Sequence, residues 1–165
     1  MAMVDQLLFI KTFRERQAET VLQRSRLSLA QAHQLEEQAQ HELERFIAQA
    51  TEDELRWYRQ LCERVVKLRD IEDVQTDVAI LRAEEAERAR ARDAATQQRE
   101  QAQSAFTQAS QQMKEASTAR NKFEELARQH HALVAKEVER KEDLELEELA
   151  GIVREREEVD LQEHG

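Results

Sequence analysis

Apolar residues along this chain recur at spacings of three and four. In the first half, Ala18, Leu22, Ser25, Leu29, Ala32, Glu36, Ala39, Leu43, Phe46 and Ala50 keep that rhythm, weakened at Ser25 and Glu36. In the second half it runs through Ala102, Phe106, Ala109, Met113, Ala116, Phe123, Leu126, His130, Leu133 and Val138. Such alternation sets one stripe of a helix against a partner, so each run predicts a coiled-coil seam. Both seams are thin, and neither is satisfied alone. Between them, RAEEAERARARDAATQQREQ (82–101) has no large aliphatic side chain.

Nothing punctuates these runs. The chain has no proline and two glycines, at 151 and 165, so nearly every helix breaker is missing. Strong helix formers fill the rest. Of 66 hydrophobic residues, 23 are alanine, which buries little area, and 36 % of all residues are charged. That composition belongs to long helices and coiled coils rather than to a compact domain. The fold class expected is all-α.

Charge bears on where the partner helix comes from. Residues 1–30 carry five basic and three acidic side chains; residues 137–163 carry four basic and twelve acidic ones. Folding the chain back lays the acidic end beside the basic end, whereas a parallel homodimer aligns like charges. A long antiparallel two-helix coiled-coil hairpin over 1–150 is therefore the expected architecture. Its arms of about 65 residues would reach ~100 Å. The competing reading is a structural spacer or scaffold built as a homodimer. The acidic, seamless segment 151–165 is expected to fray.

The turn is harder to place. A symmetric fold of residues 3–150 puts it near 70–80. Asp70, Asp73, Gln75, Thr76 and Asp77 form a local cluster of helix-capping and helix-interrupting side chains, which puts the bend between 62 and 77. TEDE (51–54) reads as a capping box and offers a competing break.

The midpoint is also unusually apolar. Six of the fifteen valines and isoleucines fall within 65–80, just after Trp57 and Tyr58, the single Trp and Tyr. Trp57, Leu61, Val65, Val66, Leu68, Ile71, Val74 and Val78 suit two roles. They lock a turn together, or they form an exposed docking surface with anchors at helical spacing.

Chemical motifs add little. Cys62 has no cysteine to pair with, and a lone helical thiol reads as a small apolar side chain. Adjacent His130 and His131 point about 100° apart on a helix and do not chelate one metal. Paired carboxylates such as Glu147 and Glu148 have no pocket to raise a pKa. No nucleophile–base set or phosphate loop occurs. The reading is a protein that is not an enzyme and takes no metal or cofactor. Arg88, Arg90 and Arg92 lie among Glu84, Glu85, Glu87 and Asp93, and a net charge of −10 disfavours nucleic acid. No basic amphipathic face or ~20-residue apolar run suggests membrane insertion. The N-terminal MAMVDQLLFIKTFRER has no signal-peptide pattern, so a cytoplasmic location is expected.

Three blocks carry a family resemblance: LLFIKTFRERQAE at the start, WYRQLCERVVKLRDIED at the midpoint and VAILRAEEAE after it. With the later ARNKFEELARQHHALVAKEVERKEDLELEEL, they make the chain similar, over about residues 3–150, to the YscO-type central stalk proteins of bacterial type III secretion systems. These are relatives of the flagellar export protein FliJ. The resemblance implies an antiparallel two-helix coiled coil like the rotor stalk of rotary ATPases, monomeric, at the base of a membrane-embedded secretion apparatus. Its paired termini would enter the hexameric secretion ATPase, and its turn would face the cytosolic ring of the export-gate protein. Binding of secretion chaperones is implied as well. Carried onto this sequence, Leu7, Leu8, Ile10, Arg14 and Val21 become the ATPase-facing residues. Trp57, Tyr58, Leu61, Val65, Leu68 and Ile71 become the gate-facing ones.

Overall fold

The computed structural model describes residues 2–164. Those residues form two helices, α1 (Met3–Cys62) and α2 (Leu68–Glu163), and no strand. α1 opens with the Ala2 carbonyl accepting the amides of Asp5 (3.1 Å) and Gln6 (3.2 Å). Asp5 in that first turn suits the positive end of the helix dipole.

The chain leaves helix over 63–67 without a glycine, and no described residue takes a positive φ. α2 restarts through half of a capping box. The Lys67 amide donates to Asp70 Oδ2 at 3.0 Å, and the Asp70 amide donates to the Lys67 carbonyl at 3.0 Å. Asp73, Gln75, Thr76 and Asp77 lie inside α2, where the Thr76 hydroxyl donates back to Glu72 O at 3.0 Å. TEDE does not break α1: the Thr51 hydroxyl donates to Ile47 O at 2.8 Å in uninterrupted helix.

The two helices run antiparallel and pack against each other, which makes the fold the all-α hairpin that the paired seams implied. Contacts divide it into two units, one of residues 18–113 and one joining residues 1–17 to 114–165.

In the 18–113 unit, every first-arm seam position from Ala18 to Ala50 is buried or half-buried, with Leu43, Ala50 and Ala109 the most enclosed. The aliphatic-poor stretch 82–101 packs through arginines. Arg99 Nε meets Glu36 at 3.0 Å, Arg82 meets Glu54 at 2.9 Å and Arg92 donates to Gln40 at 3.2 Å. Arg88 covers the Phe46 ring at 4.1 Å from its centroid. The methylene stems of these side chains supply apolar cover while their heads stay wet. Of Arg88, Arg90 and Arg92, the first and last thus take part in the interhelix packing.

In the unit of 1–17 and 114–165, Ala127 is buried and Ala116 and Phe123 are half-buried. Arg120 Nε donates to Glu15 at 2.8 Å, Lys11 sits 5.3 Å from the Phe123 centroid, and His131 contacts Asp5 at 2.8 Å. Two sequence inferences fail here. Ala127 takes the interior place expected of Leu126, and His130, Leu133 and Val138 are exposed rather than seam residues. The acidic stretch 137–163 does not lie beside the basic N-terminal residues either. The cause is register: Asp5, in the first turn of α1, is opposite His131, no described residue of α1 faces the rest of α2, and α2 continues to Glu163 with every residue from Arg128 to His164 exposed.

Candidate functional site

The turn sorts its apolar residues into two sets. Trp57, Leu61, Val66, Val74 and Val78 are half-buried, as expected of side chains that hold a turn closed. Tyr58, Val65, Leu68 and Ile71 are exposed, Val65 completely (103 %) and Leu68 at 72 %. Exposure follows from the break itself, because residues 63–67 have left the helix and Val65 has no seam to enter. Leaving such side chains in water forgoes about 1.5–3 kcal/mol each relative to burial. The six turn residues singled out in the sequence therefore divide into Trp57 and Leu61, which are partly covered, and four that are exposed. Cys62 is exposed beside them.

At the start of α1, Leu7, Ile10 and Arg14 share one stripe at i, i+3 and i+7, and all three are exposed. Leu8 faces elsewhere and is half-buried, its carbonyl accepting the Thr12 hydroxyl at 2.9 Å. Val21, in the 18–113 unit, is exposed. Beside this stripe lies a feature that the residue pattern did not single out: an open groove of about 560 Å³ lined by Asp5, Leu8, Phe9, Thr12, Phe13, Arg16 and His131. Phe9 (72 % exposed) and Phe13 (55 %) form its aromatic edge. Their i, i+4 spacing was the available signal.

The perturbed ionisable groups have one physical cause. A hydrogen bond from Arg120 holds the Glu15 carboxyl below its ordinary 4.5, and Arg99 does the same to Glu36. Arg90 and Arg128 likewise lower Glu87 and Glu125. Each shift marks an acid facing its guanidinium partner, the signature of structural pairing. Among the described residues, no group of three or more His, Cys, Asp or Glu could hold a metal ion, and no helix is long and apolar enough to cross a membrane. The turn and the start of α1 are thus two places where apolar side chains stand exposed.

Comparison with known proteins agrees with the two-helix architecture. Residues 4–151 match the family model described as type III secretion protein YscO. The chain is also similar to the crystal structure of the type III secretion protein YscO from Vibrio parahaemolyticus, with a TM-score of 0.80. That match has 26 % identity over 88 % of this chain and 92 % of the other. No curated protein gave a significant match.

Proposed function

The chain belongs to the YscO family of type III secretion proteins, and on that footing we propose that it is the stalk linking the hexameric secretion ATPase to the cytosolic ring of the export-gate protein. In this reading it catalyses nothing itself, works at the cytoplasmic base of the apparatus, and meets secretion chaperones there. The observation that carries the reading is the turn. Val65 and Leu68 stand open to solvent at the one interruption between α1 and α2, with Tyr58 and Ile71 exposed around them. A few such anchors supply most of the binding energy of a typical protein interface. Leu7, Ile10 and Arg14 on α1 are the residues assigned to the ATPase, with Leu8 and Val21 as the further members of that set.

The test is binding of the full chain to the isolated cytosolic ring. Leu61→Asp with Val65→Asp should abolish it while circular dichroism stays helical. Leu61 is half-buried, so a second pair, Val65→Asp with Leu68→Asp, confines the change to exposed positions. Binding that survives both pairs with the helix intact overturns the assignment of the turn. For the other surface, Leu7→Asp with Ile10→Asp should remove the chain's effect on ATPase turnover. Sedimentation supplies a check on the homodimeric spacer: the stalk reading expects a particle of 19.4 kDa, and the spacer one of twice that mass.

A further inference from the structure

We propose that α2 beyond His131 is a docking surface for one basic amphipathic helix of another protein, which continues the seam that α1 leaves unfinished. Counting from buried Ala127 in helical steps of 7, 11, 15, 18, 22 and 25 residues gives Val134, Val138, Glu142, Glu145, Leu149 and Ile152. These prolong the α2 stripe that packs on α1 at Phe123 and Ala127. All six are exposed: Asp5, in the first turn of α1, stands opposite His131, and no described residue of α1 covers the stripe beyond it. The stripe is apolar at both ends and acidic in the middle.

Two observations choose the occupant. The chain's own seam answers acids with arginines, as Glu15 with Arg120 and Glu36 with Arg99 show. Glu142 and Glu145 therefore fit a helix that brings Lys or Arg to those levels, with aliphatic residues above and below. The surrounding field agrees, since residues 137–163 hold twelve acidic and four basic side chains. A second copy of this chain would bring the same negative segment against itself, and an anionic membrane is repelled for the same reason. This surface uses none of the turn residues and none of Leu7, Ile10 and Arg14; it lies at the end of the chain that the stalk reading sends into the ATPase, and its test reads helix binding rather than ATPase turnover or gate binding.

The test uses the full chain and two fluorescent synthetic helices with identical Leu and Val seams. One carries Lys at the two positions facing Glu142 and Glu145, and the other carries Glu. Fluorescence anisotropy should show the Lys helix binding at least about tenfold tighter, with the difference shrinking as salt rises. Glu142→Lys with Glu145→Lys should reverse the preference, and Val138→Asp with Leu149→Asp should abolish binding of both. All these positions are exposed, so circular dichroism should remain that of the parent chain. Equal binding of the two helices, no binding of either, or a preference that the charge reversal leaves unchanged overturns the proposal. A chain that sediments as a dimer, and becomes monomeric with Val138→Asp and Leu149→Asp, assigns the stripe to a second copy instead.

Discussion

The two parts of α2 invert the usual link between hydrophobicity and burial. Where α2 faces α1, its most enclosed residues are small: Ala109 is 3 % exposed and Ala127 4 %. Beyond His131 it carries Leu133, Leu144, Leu146, Leu149 and Leu161, and all are exposed. What differs is only whether a second helix is present. Alanine seams let two helix backbones approach closely, and arginine–carboxylate pairs then fill the remaining space, as at Glu36–Arg99 and Glu15–Arg120. Large side chains without a facing helix stay about half exposed or more. Position in the register, more than residue type, decides what is core.

The comparison breaks most visibly by truncation. Leu43, at 5 % exposure the most enclosed large side chain among the described residues, should cost about 2–3 kcal/mol as Leu43→Ala. Leu146→Ala and Leu161→Ala, on larger exposed surfaces, should stay within about 0.5 kcal/mol. Urea unfolding followed at 222 nm measures all three. Equal losses at the three positions would mean that the exposed leucines are covered in solution.

Enlargement sharpens the same contrast. Ala109→Leu forces a branched side chain between two close helices and should cost about 1–3 kcal/mol. Ala135→Leu, on the exposed part of α2, should be nearly neutral by the same measurement. If Ala109→Leu were tolerated, the close approach inferred for the alanine seam would be mistaken.

Much of this was legible in the sequence. The three–four rhythm from Ala18 to Ala50 named positions that are all buried or half-buried, and Ala102, Phe106, Ala109 and Met113 obey it too. Periodicity identifies a stripe but says nothing about how far the partner extends, so it carries the seam on to Leu133 and Val138. The error traces to the turn. A symmetric fold centred near 70–80 assumes equal arms, whereas the break at 63–67 makes α2 longer than α1 by more than thirty residues. The break carries no Gly or Pro, and of the polar cluster only Asp70 caps. At the turn, sequence offered two roles for one apolar cluster. The fold distributes them, with Trp57 and Leu61 half-buried and Val65 and Leu68 exposed. The Phe9–Phe13 groove is not visible in the sequence, because two aromatics in a common helix start look unexceptional until His131 is brought across from α2.

Acidity should act on the paired region through its carboxylates. Glu15 and Glu36 are held below 4.5 in the folded chain, so they bind protons less readily folded than unfolded. Their contribution is complete above pH 4.5, and it drains away as pH falls below that value through the lower folded titration. Thermal midpoints measured from pH 6 down to pH 3 should therefore fall, and Glu15→Gln with Glu36→Gln should make the decline shallower. A decline of unchanged steepness would place the acid sensitivity elsewhere.

The smallest effect concerns Gly151. Glycine in a helix interior costs about 0.8–1 kcal/mol relative to alanine, and a Cβ built at Gly151 meets nothing within 4 Å. Gly151→Ala should therefore stabilise the surrounding helix without strain, slowing amide exchange around residues 148–156 about fivefold. The gain should stay local, because no described residue of α1 packs on that segment and its opening does not require the paired helices to separate. The urea midpoint should accordingly remain at the parent value. A rise in that midpoint by the full local gain would show that the exposed part of α2 melts together with the hairpin, and the two parts would then have to be treated as one cooperative element.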